Sequence, residues 1–280
     1  MLNKNILMYV IENNDNNLNN QQGVYSNKRL YFDEIILSVN AWRENGGWLK
    51  DIPIYAICPT TNTLNEEETK QLRDLNVIYL EEYMKETEDF FCGYWNVPLV
   101  GKWCEENLDF DTMIHIDCDM TLIKPLPETL VNYHDPVCGV YDINSMKDQR
   151  ELPEDWFRPF DTGFTISKKT SGFYTTFHNV LEEVTDTLDP VWLEYMSQRP
   201  VQDIEEFAMD KIYNEKLLDM TYIEKYQIGE GYASVDTLTD DEVEEVYFWH
   251  EHILHEPYYD RIKEKIKYFK RIKNINKLSS

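Results

Sequence analysis

The chain has 280 residues, with a hydrophobic fraction of 42% and an aromatic fraction of 14%. That is enough for one substantial core and too apolar for a disordered acidic chain. Its formal net charge of -25 argues against duplex DNA or RNA as a partner, because phosphate backbones attract basic surfaces.

Asn5 to Ile11 reads as a buried strand, followed by a polar low-complexity loop from Asn13 to Gly23. Phe32, Ile35, Ile36, Val39 and Trp42 recur at helical spacing, which predicts a helix over 31–43 that Gly46 and Gly47 stop. Ile52 to Cys58 reads as a second strand, with Pro53 near its start, where a missing N–H is tolerated. Asn65 ahead of Glu66-Glu67-Glu68 suits the start of a charged helix over 64–75. Val77 to Leu80 makes a third strand, 97–108 another helix, and the apolar run after Asp111 a strand that ends at Asp117. Strands alternating with helices over the first 120 residues predict an α/β sheet of nucleotide-binding topology.

The second half is less regular. Pro136 to Tyr141, Gly163 to Ser167 and Val246 to Trp249 read as strands, and 202–213 as a helix. From Arg261 the composition turns basic, with Ile262, Ile266, Phe269, Ile272 and Ile275 at helical spacing. The expected organisation is one domain over 1–260 and a basic amphipathic helix over 261–280. That helix either contacts an anionic membrane surface or packs on the acidic body. No apolar run approaches the roughly 20 residues that cross a bilayer. Cys58, Cys92, Cys104, Cys118 and Cys138 form no zinc or redox spacing, which predicts reduced thiols in a cytoplasmic setting.

The most informative stretch is Ile116-Asp117-Cys118-Asp119-Met120-Thr121-Leu122-Ile123-Lys124-Pro125-Leu126. Two carboxylates one residue apart at a strand's C-terminal edge repel each other. A divalent cation bound through oxygen is the simplest compensation, and such edges are where open α/β sheets bind ligands. The plain alternative is a pair of solvated carboxylates at a turn.

This stretch resembles the D-x-D segment of GT-A glycosyltransferases, particularly the family 8-like group. Three more segments resemble that family in order: Phe160-Asp161-Thr162-Gly163-Phe164, the Val201-Gln202-Asp203 helix start, and Trp249-His250-Glu251-His252 after a late strand. After the histidines, Ile253-Leu254-His255-Glu256-Pro257-Tyr258 stands where the family has a glycine and Lys-Pro-Trp. The resemblance implies a Rossmann-like nucleotide-diphospho-sugar transferase fold, with a mixed central sheet flanked by helices. It implies a hexosyltransferase-like enzyme that moves a sugar from a nucleotide-diphosphate sugar, UDP-sugar favoured, to a glycan, protein or lipid acceptor. Mn²⁺ or Mg²⁺ would be held by Asp117, Asp119 and His250 or His252. Tyr9, Lys102, Asp117, Gly163 and Gln202 are the expected donor contacts, and Asp203 and Asp161 the expected catalytic carboxylates.

Several of these residues have second readings. Lys102 reaches a phosphate or ribose, or is a solvated helix lysine. Asp203 binds sugar hydroxyls, or caps its helix. His178 reads as a packed or surface histidine. Asp117-Cys118-Asp119-Met120-Thr121 also fits the nucleophile loop of haloacid dehalogenase-like phosphatases, although that loop normally follows a first strand. A non-catalytic carbohydrate-binding protein of the same fold is the remaining alternative.

Overall fold

β1 (Asn5–Val10) is buried along its whole length, as a strand covered on both faces must be. Its side chains alternate between two cores: Ile6, Met8 and Val10 join one, Leu7, Tyr9 and the following Ile11 the other. The computed structural model describes residues 4–11, 30–61, 63–84, 96–140, 160–187, 204–223 and 247–250. The loop expected over 13–23, Gln202, Asp203, His252 and the basic helix expected over 261–280 lie outside the described residues.

After β1 come α1 (Leu30–Asn45), β2 (Ile54–Cys58), α2 (Glu66–Asp74), β3 (Val77–Glu81), α3 (Asn96–Asn107) and β4 (Thr112–Ile116). β5 (Met120–Leu122), α4 (Glu128–Val131), β6 (Val137–Val140), β7 (Phe160–Lys168) and α5 (Phe173–Thr187) follow, then α6 (Ile204–Asn214), β8 (Thr221–Ile223) and β9 (Phe248–His250). Seven strands form one mixed sheet in the order β3-β2-β1-β4-β7-β6-β8, while β5 and β9 make a separate antiparallel pair. β3, β2, β1 and β4 run parallel, β7 runs against both β4 and β6, and β8 runs with β6. With β7 reversed, its first residues come to the edge where β1, β4 and β6 end. This is an α/β architecture of Rossmann-like kind, as the alternating elements predict, and its mixed sheet flanked by helices is the one the resemblance implies.

Helices cover both faces. The stripe of Phe32, Ile35, Val39 and Trp42 seats α1 on the core that holds Leu7 and Tyr9. The opposite core takes Leu99, Val100 and Cys104 of α3, Phe173 and Phe177 of α5, and Phe207 and Met209 of α6. α3 and α5 meet closely at Gly101, where an added Cβ would stand 2.1 Å from Tyr174 Cδ1. Glu105, one turn on, is buried yet satisfied: its carboxylate accepts from the Tyr174 and Thr175 amides, each at 3.0 Å, at the start of α5. An anion is well placed at that end of a helix.

Local signals hold where the chemistry is local. Asn65 caps α2 in a capping box: its Oδ1 accepts from the Glu68 amide at 3.0 Å, and its own amide donates to Glu68 Oε2 at 2.9 Å. Pro53 falls just ahead of β2 and its carbonyl accepts from the Leu7 amide, since a proline has no N–H to give a ladder. Gly47 takes φ +57 after α1, and a Cβ there would be 2.9 Å from the Pro125 ring. Asn45 and Trp48 donate to the carbonyls of Leu122 and Leu126, each at 2.9 Å. The Lys-Pro-Leu-Pro segment is thereby docked on the end of α1. Among the described residues no helix is long and apolar enough to cross a membrane.

Two outcomes follow from this packing. Gly101→Ala forces a methyl into the Tyr174 ring and should cost about 1–3 kcal/mol, read as a shift in urea midpoint. Burial pushes the Tyr9 and Tyr174 phenols and the Cys138 thiol above their ordinary values of 10.0 and 9.0. The folded chain therefore keeps protons that the unfolded chain releases. This contribution to stability is complete below pH 9 and declines as pH rises past 9 to 10, so the thermal midpoint should fall across a titration from pH 8 to 11.

Candidate functional site

The buried run of β4 delivers Asp117 to the C-terminal edge of the sheet as the first residue past the strand. Its amide donates to the Gly163 carbonyl at 2.8 Å, and its carbonyl accepts from the Met120 amide at 3.0 Å. The second bond closes a four-residue turn with Cys118 and Asp119 at its centre. Asp119 is 9% exposed and the Asp117 side chain 27%, so the two carboxylates are partly withdrawn from water. The chain then leaves the main sheet as β5 to pair with β9, setting Met120 opposite His250 and Leu122 opposite Phe248. The Ile123 amide continues the pairing by donating to the Tyr247 carbonyl at 2.8 Å.

β7 is shaped to meet this turn. Cys138 of β6 pairs with Thr165, but the next residue, Gly139, pairs with Asp161. Thr162, Gly163 and Phe164 thus bulge out of the β6 ladder and serve β4 instead, with Phe164 opposite Ile116. Bulges of this kind bend a strand and re-aim its side chains, and they concentrate beside functional sites. The result gathers Asp117, Asp119 and Gly163 with the backbones of Asp161 and His250 at one edge.

The turn is braced from behind, in part by Ser38 and His115, which the sequence reading did not single out. Ser38 on α1 donates its hydroxyl to the Met120 carbonyl. A carbonyl only accepts, so the Ser38 proton is committed, and the Tyr9 hydroxyl is the donor in its 2.8 Å contact with Ser38 Oγ. Cys118 Sγ donates to the Val10 carbonyl at 3.3 Å. On the other strand face, His115 Nε2 lies 3.4 Å from Asp117 Oδ1. Ser38 and His115 did leave a trace in the sequence: each is a polar residue at a position where the helix or strand period demands an apolar one.

Of the other expected donor contacts, Gln202 lies outside the described residues, and Tyr9 and Lys102 meet other partners. Tyr9 is in the core, fully buried, and reaches the turn only through Ser38. Burial pushes its phenol well above the usual range, so it remains a neutral donor. Lys102 is turned toward α5, its Nζ 3.4 Å from His178 Nδ1, and His178 is buried with Nδ1 3.3 Å from Glu182. His178 is therefore the packed histidine of its two readings.

The donor set suits a hard divalent cation, since the two carboxylates offer oxygen ligands on one short turn. Among the described residues no group of three or more His, Cys, Asp or Glu side chains converges. Asp117 and Asp119 are the described side chains of the set, and the backbone of His250 stands opposite Met120.

Removing the Ser38 hydroxyl in Ser38→Ala strands both the Met120 carbonyl and the Tyr9 hydroxyl, an expected cost of about 1–3 kcal/mol. Tyr9→Phe leaves Ser38 its acceptor and should cost about 1 kcal/mol, so urea midpoints should rank wild type, Tyr9→Phe, Ser38→Ala. Compared with known proteins, the chain matches no protein-family model and no curated protein.

Proposed function

We propose that this chain is a metal-dependent glycosyltransferase of the GT-A type, family 8-like, moving a sugar from a nucleotide-diphosphate sugar to a glycan, protein or lipid acceptor. The observation that carries this reading is convergence. Three segments that resemble the family, separated in sequence by about forty and ninety residues, meet at one turn: the Asp117 amide on the Gly163 carbonyl, and Met120 in register with His250. A chance D-x-D at a surface turn has no reason to recruit the other two.

In this reading Asp117 and Asp119 hold Mn²⁺ or Mg²⁺, with a histidine from the segment at His250 and His252 as the third ligand. The bound cation would supply charge neutralisation to the diphosphate as it leaves. The chain's own residues arrange the rest. The turn hydrogen bonds hold the backbone that carries the two carboxylates, and the Gly163 carbonyl supplies one of their acceptors. Asp161 and Asp203 are the carboxylates assigned to the sugar and its acceptor. A local cation site also answers an electrostatic problem, because a chain of net charge -25 repels a diphosphate.

Thermal midpoints measured with UDP, GDP and CMP, each with and without Mn²⁺, test this directly. A ligand that binds only the folded chain stabilises it by about 2.7 kcal/mol at a hundred times its dissociation constant. The expected result is a rise with UDP that needs Mn²⁺ and disappears in Asp119→Ala. No rise with any nucleotide, together with magnesium-dependent release of phosphate from a generic phosphoester, would replace the transferase with the phosphatase reading. Silence in both assays would leave the carbohydrate-binding alternative.

A further inference from the structure

We propose that His115 is a positioning residue for Asp117, fixing the orientation of its carboxylate from the core side of the turn. The proposal rests on the reading of Asp117 as a cation-holding carboxylate. An imidazole is an unexpected occupant of this position. His115 sits 1% exposed in the middle of β4, between Ile114 and Ile116, where an aliphatic side chain carries no polar penalty. Its period-two neighbours on the strand are Met113 and Asp117, so the ring lies between the core and the turn.

The ring lies between two oxygens that only accept when Asp117 is ionised, and a neutral imidazole has one N–H, so the tautomer protonated on Nε2 is the one that serves Asp117. Nδ1 is 3.3 Å from the Met8 carbonyl, which in this tautomer is a packing contact that places the ring beside β1. Nε2 is 3.4 Å from Asp117 Oδ1. Nε2 is buried and makes no hydrogen bond, so the Asp117 carboxylate is the group that answers it. At that distance the approach is longer than a formed N–H···O bond, and a modest rotation of the carboxylate closes it. One carboxylate oxygen is then assigned to the ring and the other is left for a ligand. Outer partners of this kind orient a metal-binding side chain without touching the metal, and losing one typically weakens metal binding about 10–100-fold.

Two polar substitutions separate positioning from packing. In His115→Asn the side-chain nitrogen falls near Nδ1, keeping the Met8 contact and losing the reach to Asp117. In His115→Gln it falls near Nε2 and keeps that reach. The Mn²⁺ dissociation constant is measured on the full chain by the resonance of free Mn²⁺, well below every thermal midpoint, with Asp119→Ala as control. Wild type should bind and Asp119→Ala should fail. His115→Asn should weaken binding about 10-fold or more, and His115→Gln should stay close to wild type whatever either variant does to the midpoint. Wild-type affinity in His115→Asn, or equal weakening in both variants, overturns the positioning role while Asp119→Ala upholds the cation site. A wild type that binds Mn²⁺ no better than Asp119→Ala overturns both.

Discussion

The hydrogen bond from the Asp117 amide to the Gly163 carbonyl is the constraint around which the rest of this site is arranged. A strand that ends at a buried edge exposes backbone groups that must find partners, because an unpaired buried amide forfeits roughly a hydrogen bond's worth of free energy. β4 solves this by recruiting a strand of opposite direction. Reversal brings the start of β7 to the end of β4, and the bulge at Thr162–Phe164 supplies the carbonyl where β6 pairing would have taken it elsewhere. The same bond that satisfies the amide fixes where the two carboxylates leave the sheet. Stability and site geometry are consequences of one contact.

That contact does not act alone. The turn is enclosed on its inner side by α1 and β1 through Ser38, Tyr9 and Val10, and on its outer side by β9. Each brace reaches a backbone group of the turn or the thiol between the carboxylates. The backbone from which the two carboxylates leave is thereby held on both sides. The division of labour is physical: fully buried, neutral hydroxyls hold the backbone, while the carboxylates keep some exposure, 9% at Asp119 and 27% for the Asp117 side chain. A buried charge in the bracing role would have carried a desolvation penalty that Tyr9 and Ser38 avoid.

The sequence showed its parallel half plainly. β1, β2, β3 and β4 and the helices between them announce themselves through apolar runs and helical spacing, and Asn65 marks the start of α2 by the residue type its capping box requires. Asp117 and Asp119 were legible for the same reason, since two like charges at a strand end demand an explanation. What escaped is what depends on distant partners. β5 and β8 have three residues each, too few to show a period. The bulge in β7 has no local signature, because it exists only relative to β6. Tyr9 was an expected donor contact on the strength of the resemblance alone. The decision between site and core belonged to Ser38, 29 residues away on a helix.

This dependence on distance also orders how the site comes into being. β2 pairs with β3 across 23 residues, whereas β1 pairs with β4 across 107 and Met120 with His250 across 130. Loop closure of that kind is an entropic cost that must be met before its contacts give any return. By sequence separation the outer wall made with β9 is the costliest of these closures. Two carboxylates brought together on that turn oppose its formation by mutual repulsion. Under the proposed reading the bound cation removes that repulsion only once the fold has assembled both groups. The feature least favourable to the folded chain by itself is then the one that couples ligand binding most strongly to its stability.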